Sequence, residues 1–254
     1  MAFPSFDISG KVALVTGADK GIGQGIAVAL AHAGARVGIT TRRLERAAQS
    51  IKLIEEQGQP AVAAELDVTK VAMIQPAVDR VLQRFGRIDI LVNNAGYNFT
   101  QTPFEVTEEM WDAVYDTNVK GLFFMTQAVG RIMAQQGGGK VINISSQAAF
   151  AAMPKRVAYC SSKAAVVHMT RVLAYELAQY HILVNAVAPT FVETELTRPF
   201  LADPAFHKFV MDSIVFDHLA QPEDVAGAVI YLASPAADMV TGHTLLVDAG
   251  WTIH

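Results

Sequence analysis

Residues Val12–Gly23 read VALVTGADKGIG, an apolar run that leads directly into three closely spaced glycines. The run Val12–Val15 contains no polar residue, which is typical of a strand buried on both faces of a parallel sheet. The glycines open a helix predicted over 22–33. Glycine permits a tight turn and lets a diphosphate approach a helix N-terminus, so this stretch favours a dinucleotide site. An ordinary strand-to-helix turn is the alternative that the stretch alone leaves open.

Short apolar runs and longer helical patterns alternate along the rest of the chain. Strands are predicted at 12–15, 36–40, 61–66, 88–92, 140–144, 182–188 and 244–247, and helices at 22–33, 44–57, 71–85, 108–133, 158–180 and 222–233. This alternation predicts a single α/β domain over residues 1–254, a Rossmann-like doubly wound parallel sheet of about seven strands with helices on both faces. Residues 190–221 break the rhythm and carry five phenylalanines, which predicts a substrate lid within the domain.

Composition excludes several classes of protein. Apolar residues make up 52% of the 254 residues and charged residues 17%, so the chain is neither disordered nor a membrane protein. A net charge of −4 shows no basic excess for nucleic acid. The single cysteine, Cys160, cannot form an internal disulfide and is expected to be a small buried side chain. No secretory signal or bilayer-length apolar run is present, so a cytoplasmic protein is expected. The seven histidines lack metal-ligand spacing, and no metal is predicted.

Polar motifs follow the predicted third and fourth strands. Asp67-Val68 comes after the third strand, where a carboxylate could bind an adenine amino group, and Asn93–Gly96 ends the fourth. Ligands bind at this carboxyl edge in such sheets. Taken alone, each motif is equally a turn.

A second group of polar residues has the pattern of an acid/base site. Tyr159 and Lys163 are four residues apart, which places them on one helix face and lets a cation favour the phenolate. Ser146 lies thirteen residues before Tyr159, and Asn118 lies within the predicted long helix. By itself the Tyr–Lys pair is far more often a surface helix pair, and Asn118 could simply face water.

Together, these motifs resemble the short-chain dehydrogenase/reductase family over nearly the whole chain. The resemblance rests on Thr16–Gly23, Asp67-Val68, Asn93–Gly96, Asn118, Ser146, Tyr159-x-x-x-Lys163 and Asn185–Pro189, in this order and spacing.

The resemblance implies a role for each residue. Tyr159 is expected to be the general acid/base, Ser146 to bind the substrate oxygen, and Lys163 to hold the nicotinamide ribose and lower the pKa of Tyr159. Asn118 is expected to hold a water that links Lys163 to solvent, and Ser145 to be structural. The implied cofactor-binding residues are Gly17, Asp19, Lys20, Gly21, Ile22, Gly23, Arg42, Asp67, Val68, Asn94, Ala95, Gly96, Tyr159, Lys163, Pro189, Val192 and Thr194. Homotetramers are usual in the family, so a homotetramer is expected.

Charge indicates which nicotinamide cofactor is used. Family members that prefer NAD carry an acidic residue at the end of the second strand, where this chain has Thr41 followed by Arg42. Arg42 and Lys20 would attract a 2′-phosphate that a carboxylate would repel. NADP(H) is therefore predicted over NAD(H). Solvated surface cations are the alternative.

Two positions depart from the family pattern. Thr190 replaces the usual glycine after Pro189, and because threonine lacks glycine's freedom at positive φ, the following loop is expected to differ. Ala249 stands where a second glycine is common, which is expected to affect packing only.

The substrate is less constrained by the sequence. Similarity to ketose and polyol reductases of the family favours a small polyhydroxylated ketone, with Ser146, Gln147, Asn98 and Phe191 as candidate substrate contacts. The apolar segment 190–221 favours instead a 3-oxoacyl thioester or a broad range of ketones. A non-catalytic cofactor-binding protein is the third hypothesis, which the intact Tyr159 and Lys163 argue against.

Overall fold

The computed structural model describes residues 3–195 and 197–253. Its strands are β1 (Val12–Val15), β2 (Arg36–Thr41), β3 (Ala61–Glu65), β4 (Ile90–Asn93), β5 (Gly139–Ile144), β6 (Ile182–Pro189) and β7 (Thr244–Val247). Its α-helices are α1 (Gly21–His32), α2 (Ala48–Glu55), α3 (Ile74–Phe85), α4 (Glu108–Tyr115), α5 (Leu122–Gln136), α6 (Val157–Leu177), α7 (Arg198–Leu201), α8 (Pro204–Asp212) and α9 (Pro222–Ala233).

The seven strands form one parallel sheet in the order β3-β2-β1-β4-β5-β6-β7. The chain starts at the centre, winds outward to β3, and then returns across β1 to wind the other way. This order reverses between β1 and β4, which is where ligands bind in doubly wound sheets.

Apolar helix faces cover both sides of the sheet. Ile26, Leu30 and Val229 belong to the core on the side of α1 and α9. Val78 and Met125 belong to the core on the side of α3 and α5. Two-sided burial explains why the strands are continuous apolar runs. The fold confirms the predicted seven-stranded, doubly wound α/β class.

Some predicted boundaries were wrong. The helix predicted over 108–133 is divided by a π-helical turn at Asp116–Gly121. The helices predicted over 44–57 and 71–85 each begin with a 3₁₀ turn, at Leu44–Ala47 and Val71–Met73. The fourth strand begins two residues later than predicted, because the Gln136 side-chain amide pairs with both backbone groups of Ile88, at 3.2 and 2.9 Å.

Ala249 has a conformational consequence beyond the predicted effect on packing. Its φ is +49°, in the left-handed region, where a side chain costs about 1–2 kcal/mol. The adjacent Asp248 carboxylate holds this turn by accepting hydrogen bonds from Gly250 N, Thr252 N and Thr252 Oγ1.

The segment predicted as a lid, residues 190–221, contains the short helices α7 and α8. Phe206, Phe209 and Phe191 pack with Trp251 from the C-terminal segment, at ring-centroid distances of 5.4 to 6.2 Å. Among residues 3–195 and 197–253, no helix has the length and apolar character needed to cross a bilayer.

Candidate active site

The glycine turn after β1 is packed tightly against the end of β4. A Cβ on Gly23 would collide with Asn94 Nδ2 and Gly17 O, and a Cβ on Gly17, whose φ is +62°, would lie 3.1 Å from Ala95 Cα. The backbone therefore needs glycine at both positions to approach β4 this closely.

Hydrogen bonds fix the Asn93–Gly96 segment to the same turn. Asn94 Nδ2 donates to the carbonyl oxygens of Thr16 and Gly17, both at 2.9 Å. Thr16 Oγ1 accepts from the backbone N–H groups of Asn94 and Ala95, both at 3.0 Å. The motif thus shapes the turn as well as lining it, a role that the sequence did not reveal.

The N-terminus of α1 opens at this turn. Lys20 is its N-cap residue and forms no side-chain cap, so the amides of the first helical turn have no side-chain acceptor at that position. Gly21 has φ +58°, and its Cβ position lies 3.5 Å from Thr194 Cγ2. The loop after β6 therefore borders the helix N-terminus, where free amides favour an anionic group. Asp19 and Ile22 flank the turn and are half-buried.

The loop that begins at Thr190 does not depend on glycine. Thr190 has no positive φ, and its N–H donates to Val247 O at 3.0 Å, which continues the pairing of β6 with β7. Thr190 therefore has a backbone conformation that does not require glycine. Thr190 Oγ1 is buried without a hydrogen-bond partner among the described residues. Val192 and Thr194 are also buried.

At the end of β2, Thr41 is followed by two arginines and has Glu65 of β3 as its register partner. Thr41 is buried, and its Oγ1 exchanges hydrogen bonds with the backbone of Arg43. Arg42 and Arg43 are exposed. Lys20 Nζ lies 3.7 Å from Glu195 Oε1, and both side chains are largely exposed, so this ion pair is weak.

Asp67 and Val68 lie where the sequence placed them, after β3. Asp67 Oδ1 accepts hydrogen bonds from Thr69 N at 3.1 Å and Thr69 Oγ1 at 2.7 Å, which is an Asx turn. Val68 is buried against Gly121, where a Cβ would lie 2.8 Å from Val68 O. Asp67-Val68 therefore forms a turn, which was the alternative that the sequence left open. This turn orients the Asp67 carboxylate.

Lys163 is the most deeply buried ammonium near the strand ends. It is 4% exposed, and Nζ donates to Ile144 O at 2.8 Å. Burial lowers the pKa of Lys163 to about 8. Its Nζ lies 5.7 Å from the centroid of the Tyr159 ring. The two predicted residues are thus neighbours, one helical turn apart on α6.

Tyr159 is half-buried, and its environment favours the protonated phenol. Burial raises the pKa of Tyr159, while the Ser146 hydroxyl and the charge of Arg156 act in the opposite direction. This direction is the reverse of the predicted lowering by Lys163, because loss of solvent outweighs the nearby charges. The phenol is therefore protonated at neutral pH.

Ser146 and Ser145 have different environments, as predicted from their spacing to Tyr159. Ser145 Oγ donates to Lys163 O at 3.0 Å and ties β5 to α6. Ser146 Oγ donates to Gln147 Oε1 at 2.6 Å and accepts from Ala148 N at 3.2 Å. Gln147 is itself buried, with Nε2 3.5 Å from Met153 Sδ. Gln147 is thus a direct partner of Ser146.

Asn118 lies in the π-helical turn and is 1% exposed, which excludes the alternative that it faces water. Its Oδ1 accepts from Tyr97 N at 2.8 Å, and its Nδ2 donates to Tyr97 O and Ser162 Oγ, both at 3.0 Å. A Cβ on Gly96 would lie 3.5 Å from Asn118 Oδ1 and 3.7 Å from Lys163 Nζ. π-Helical turns are frequent at functional sites because they re-aim side chains.

The two remaining predicted substrate contacts, Phe191 and Asn98, lie in different environments. Phe191 is part of the aromatic cluster with Phe206 and Trp251. Asn98 is exposed and has no side-chain hydrogen bond within the described residues. Cys160 is half-buried rather than fully buried as expected, because it follows Tyr159 at the open end of α6.

One residue near Tyr159 was missed by the sequence analysis. Arg156, three residues before Tyr159, is 7% exposed, and its guanidinium lies 5.3 Å from the Phe206 ring centroid. Its position one turn before Tyr159 was the available signal. Among the described residues, no group of three His, Cys, Asp or Glu side chains could hold a metal ion.

Comparison with known proteins agrees with this geometry. A family model described as Enoyl-(Acyl carrier protein) reductase matches residues 17–252. The chain is 39% identical over 253 residues to a 2-dehydro-3-deoxy-D-gluconate 5-dehydrogenase from Dickeya dadantii, with 99% of each chain covered. It is 39% identical to an NAD-dependent glycerol dehydrogenase from Listeria innocua, with both chains fully covered.

Among solved structures, a gluconate 5-dehydrogenase from Burkholderia cenocepacia in complex with NADP and tartrate superposes with a TM-score of 0.94. That protein is 38% identical, and the match covers 98% of each chain. The fold, the motifs and these relatives agree: the chain belongs to the short-chain dehydrogenase/reductase family and is an oxidoreductase acting on alcohol or carbonyl groups.

Proposed function

We propose that the protein interconverts a small polyhydroxylated ketone and its secondary alcohol, with NADP(H) as redox partner and Tyr159 as general acid/base. The observation that carries this proposal is the convergence of Tyr159, Ser146 and a buried Lys163 at the carboxyl ends of the central strands. The fold does not require an ammonium to be buried beside a phenol, but this arrangement suits proton transfer.

Tyr159 is suited to donate a proton to the substrate carbonyl oxygen in reduction and to remove it in oxidation. Its raised pKa keeps the phenol protonated at neutral pH, the form that reduction needs. Ser146 would donate to the same oxygen when its hydroxyl turns from Gln147 Oε1, its acceptor at 2.6 Å, to the substrate. Lys163 would stabilise the phenolate, and Asn118 braces the Gly96–Tyr97 backbone beside the Lys163 amine.

The chain also fits a dinucleotide. A Cβ would fill the cradle at Gly17 and Gly23, and Thr194 borders the N-terminus of α1, where amides favour a diphosphate. The cofactor would be held by residues at the carboxyl ends of the strands and in the turns that follow them: Gly17, Asp19, Lys20, Gly21, Ile22, Gly23, Arg42, Asp67, Val68, Asn94, Ala95, Gly96, Tyr159, Lys163, Pro189, Val192 and Thr194. When bound, the nicotinamide supplies or accepts the hydride.

The preference for NADP(H) rests on charge at the end of β2. Arg42 is exposed there, and Thr41 occupies the place of the acidic residue that binds ribose hydroxyls in NAD-preferring members. The gluconate 5-dehydrogenase structure holds NADP, whereas the glycerol dehydrogenase is named as NAD-dependent. Because these relatives differ in their cofactor, the proposed preference for NADP(H) rests on Thr41 and Arg42 of this chain.

A substrate panel tests the reaction and its substrate class together. Oxidation of NADPH is expected to be faster with a member of the ketose and keto sugar acid class than with acetoacetyl thioesters, and slower when NADH replaces NADPH. Preference for the thioester would favour the second candidate, 3-oxoacyl reduction, which the apolar cluster of Phe191, Phe206 and Trp251 supports. No turnover of any carbonyl by folded protein would favour a non-catalytic cofactor-binding role.

The buried Lys163 has a measurable cost in stability. Its pKa falls from 10.5 to about 8 in the folded protein, so its charge costs about 3 kcal/mol at pH 7, at about 1.4 kcal/mol per pKa unit. The unfolded chain binds more protons between these two values, so this cost disappears as pH rises from 8 to 10.5. Lys163→Met is therefore expected to raise the free energy of unfolding at pH 7 by about 2 kcal/mol, after the loss of about 1 kcal/mol from the bond to Ile144 O.

Urea unfolding of the wild type and Lys163→Met at pH 7 and at pH 10.5 measures this difference, which should reverse at the higher pH to a loss of up to about 1 kcal/mol, because only the missing bond to Ile144 O remains there. Lys52→Met, at an exposed position, is the control and should change little at either pH. A Lys163→Met protein less stable than the wild type at pH 7, or a difference independent of pH, would contradict the assignment.

We further propose a homotetramer in the cytoplasm. Exposed apolar residues support the assembly: Trp111 on α4 and Val172 and Tyr175 on α6, together with Met239 and Ile253 near the C-terminus. Where such side chains form one patch, they mark protein–protein contacts.

A further inference from the structure

We infer that Arg156 binds an anionic group of the substrate, a carboxylate, and thereby selects keto sugar acids over neutral ketoses. This inference rests on the proposed function, since it names the substrate class of the same site. The argument starts from the partners of the Arg156 guanidinium.

Arg156 is more than nine-tenths buried and lacks an ionic partner. Within residues 3–195 and 197–253 no carboxylate forms an ion pair with it. Its one side-chain hydrogen bond there is a long one, from Nη1 to Pro154 O at 3.4 Å. A guanidinium carries five N–H donors, and buried arginines are normally paired. Most of its hydrogen-bonding capacity is therefore available to a ligand.

The surroundings of Arg156 place it between Tyr159 and the segment predicted as a lid. It precedes Tyr159 by one helical turn, and the charge of Arg156 lowers the pKa of Tyr159 against the effect of burial. On its other side the guanidinium lies 5.3 Å from the centroid of the Phe206 ring, in the segment predicted as a lid. Phe206 in turn contacts Phe191, two residues after the end of β6. Arg156 thus lies between Tyr159 and the aromatic cluster that contains Phe206 and Phe191.

The backbone just before Arg156 is strained. Lys155 has φ +59°, which a residue with a side chain rarely adopts, and Gln101 N donates to Lys155 O at 2.9 Å to hold the turn. Strain of this kind persists where surrounding contacts enforce it, and it is common at ligand-binding positions. Here the strained turn at Lys155 fixes the backbone position of Arg156.

A carboxylate matches these features better than a neutral hydroxyl. A planar guanidinium binds a carboxylate through two parallel hydrogen bonds, and burial strengthens the pair. A charged hydrogen bond is worth enough to give about 50-fold discrimination between an acid and its neutral counterpart. A phosphate would satisfy the same donors, so the test must separate these two anions.

The test compares 5-keto-D-gluconate with L-sorbose, which differ only in a carboxylate replaced by a hydroxymethyl group. For the wild type, kcat/KM is expected to be about 50-fold higher for the acid than for the ketose. Arg156→Gln should reduce this ratio to about 2 by lowering kcat/KM for the acid, whereas Arg156→Lys should retain part of it. D-Fructose 6-phosphate provides the phosphate arm.

A binding measurement does not depend on turnover. Calorimetry on the NADPH complex should show tartrate binding much more tightly than threitol, and Arg156→Gln should abolish the difference while threitol binding is unchanged. Thermal unfolding identifies any variant that fails to fold. If Arg156→Gln does not fold, the same comparison is made with Arg156→Lys.

Three results would overturn the inference: a wild type that does not prefer the acid, an Arg156→Gln protein that keeps the preference, or equal losses on both substrates. Faster reduction of the phosphate ester than of the acid would also overturn the assignment of a carboxylate. If neither substrate turns over but tartrate binding depends on Arg156, the proposed reaction fails and the anion site stands.

Discussion

Replacing Tyr159 with phenylalanine is expected to lower kcat for ketone reduction by about 10³-fold, within the roughly 10²- to 10⁴-fold contribution of a positioned general acid. The change removes the one hydroxyl that burial keeps protonated near Ser146 and Lys163, and it leaves the ring and its packing in place. Steady-state rates with the preferred ketone, together with the Kd for NADPH by fluorescence titration, measure the two effects separately.

The matched control is Tyr180→Phe, the same chemical change at an exposed tyrosine in the turn after α6. It should leave kcat unchanged and the Kd for NADPH within about threefold of the wild type. Tyr159→Phe should raise the Kd for NADPH by no more than about tenfold, the effect of one lost hydrogen bond. If Tyr159→Phe retained a kcat within tenfold of the wild type, Tyr159 would not be the proton donor and the proposed mechanism would fail.

The second large effect concerns the cofactor. Arg42→Gln is expected to raise the KM for NADPH by about 30-fold, because charge-assisted hydrogen bonds to a phosphate contribute about 1.5–3 kcal/mol. The KM for NADH, which lacks the 2′-phosphate, should stay the same. The quantity to measure is the ratio of kcat/KM values for NADPH and NADH at low ionic strength, since salt screens an exposed arginine.

Arg43→Gln is the matched control, because Arg43 is also exposed and directly follows Arg42 in sequence. Its NADPH/NADH ratio should remain within about threefold of the wild type, as is usual for surface positions that make no specific contact. A wild type that prefers NADH, or an Arg42→Gln protein with an unchanged ratio, would refute the role given to Arg42.

Sequence periodicity was sufficient to predict the architecture. Apolar runs such as Val12–Val15 are short and uninterrupted, and the segments between them have helical periodicity, so a two-sided parallel sheet was the simplest way to bury them. The motif spacings also placed Tyr159 and Lys163 on one helix face, which α6 confirms. Boundaries were wrong where a distant side chain intervened, as Gln136 does at Ile88.

The electrostatic environment of the site depends on contacts between distant segments. Asn118 could have faced water from its sequence alone, and it is buried because the π-helical turn aims it at Tyr97 and Ser162. The pKa of Tyr159 is raised, contrary to expectation, because burial depends on what packs over the ring. Desolvation is a property of the whole surroundings, so motif spacing cannot give its magnitude.

The sequence by itself determined the parallel α/β fold, the family and the residues at the ends of the strands, because strand burial and helix facing are local periodicities. The tertiary structure decided that Arg156 is buried near Tyr159 and against Phe206, with no ionic partner among residues 3–195 and 197–253. Phe206 lies 50 residues further along the chain, and this contact forms only when the segment after β6 packs against the start of α6. The charge of a single residue is visible in a sequence, but whether that charge is solvated or available to a substrate depends on such long-range packing.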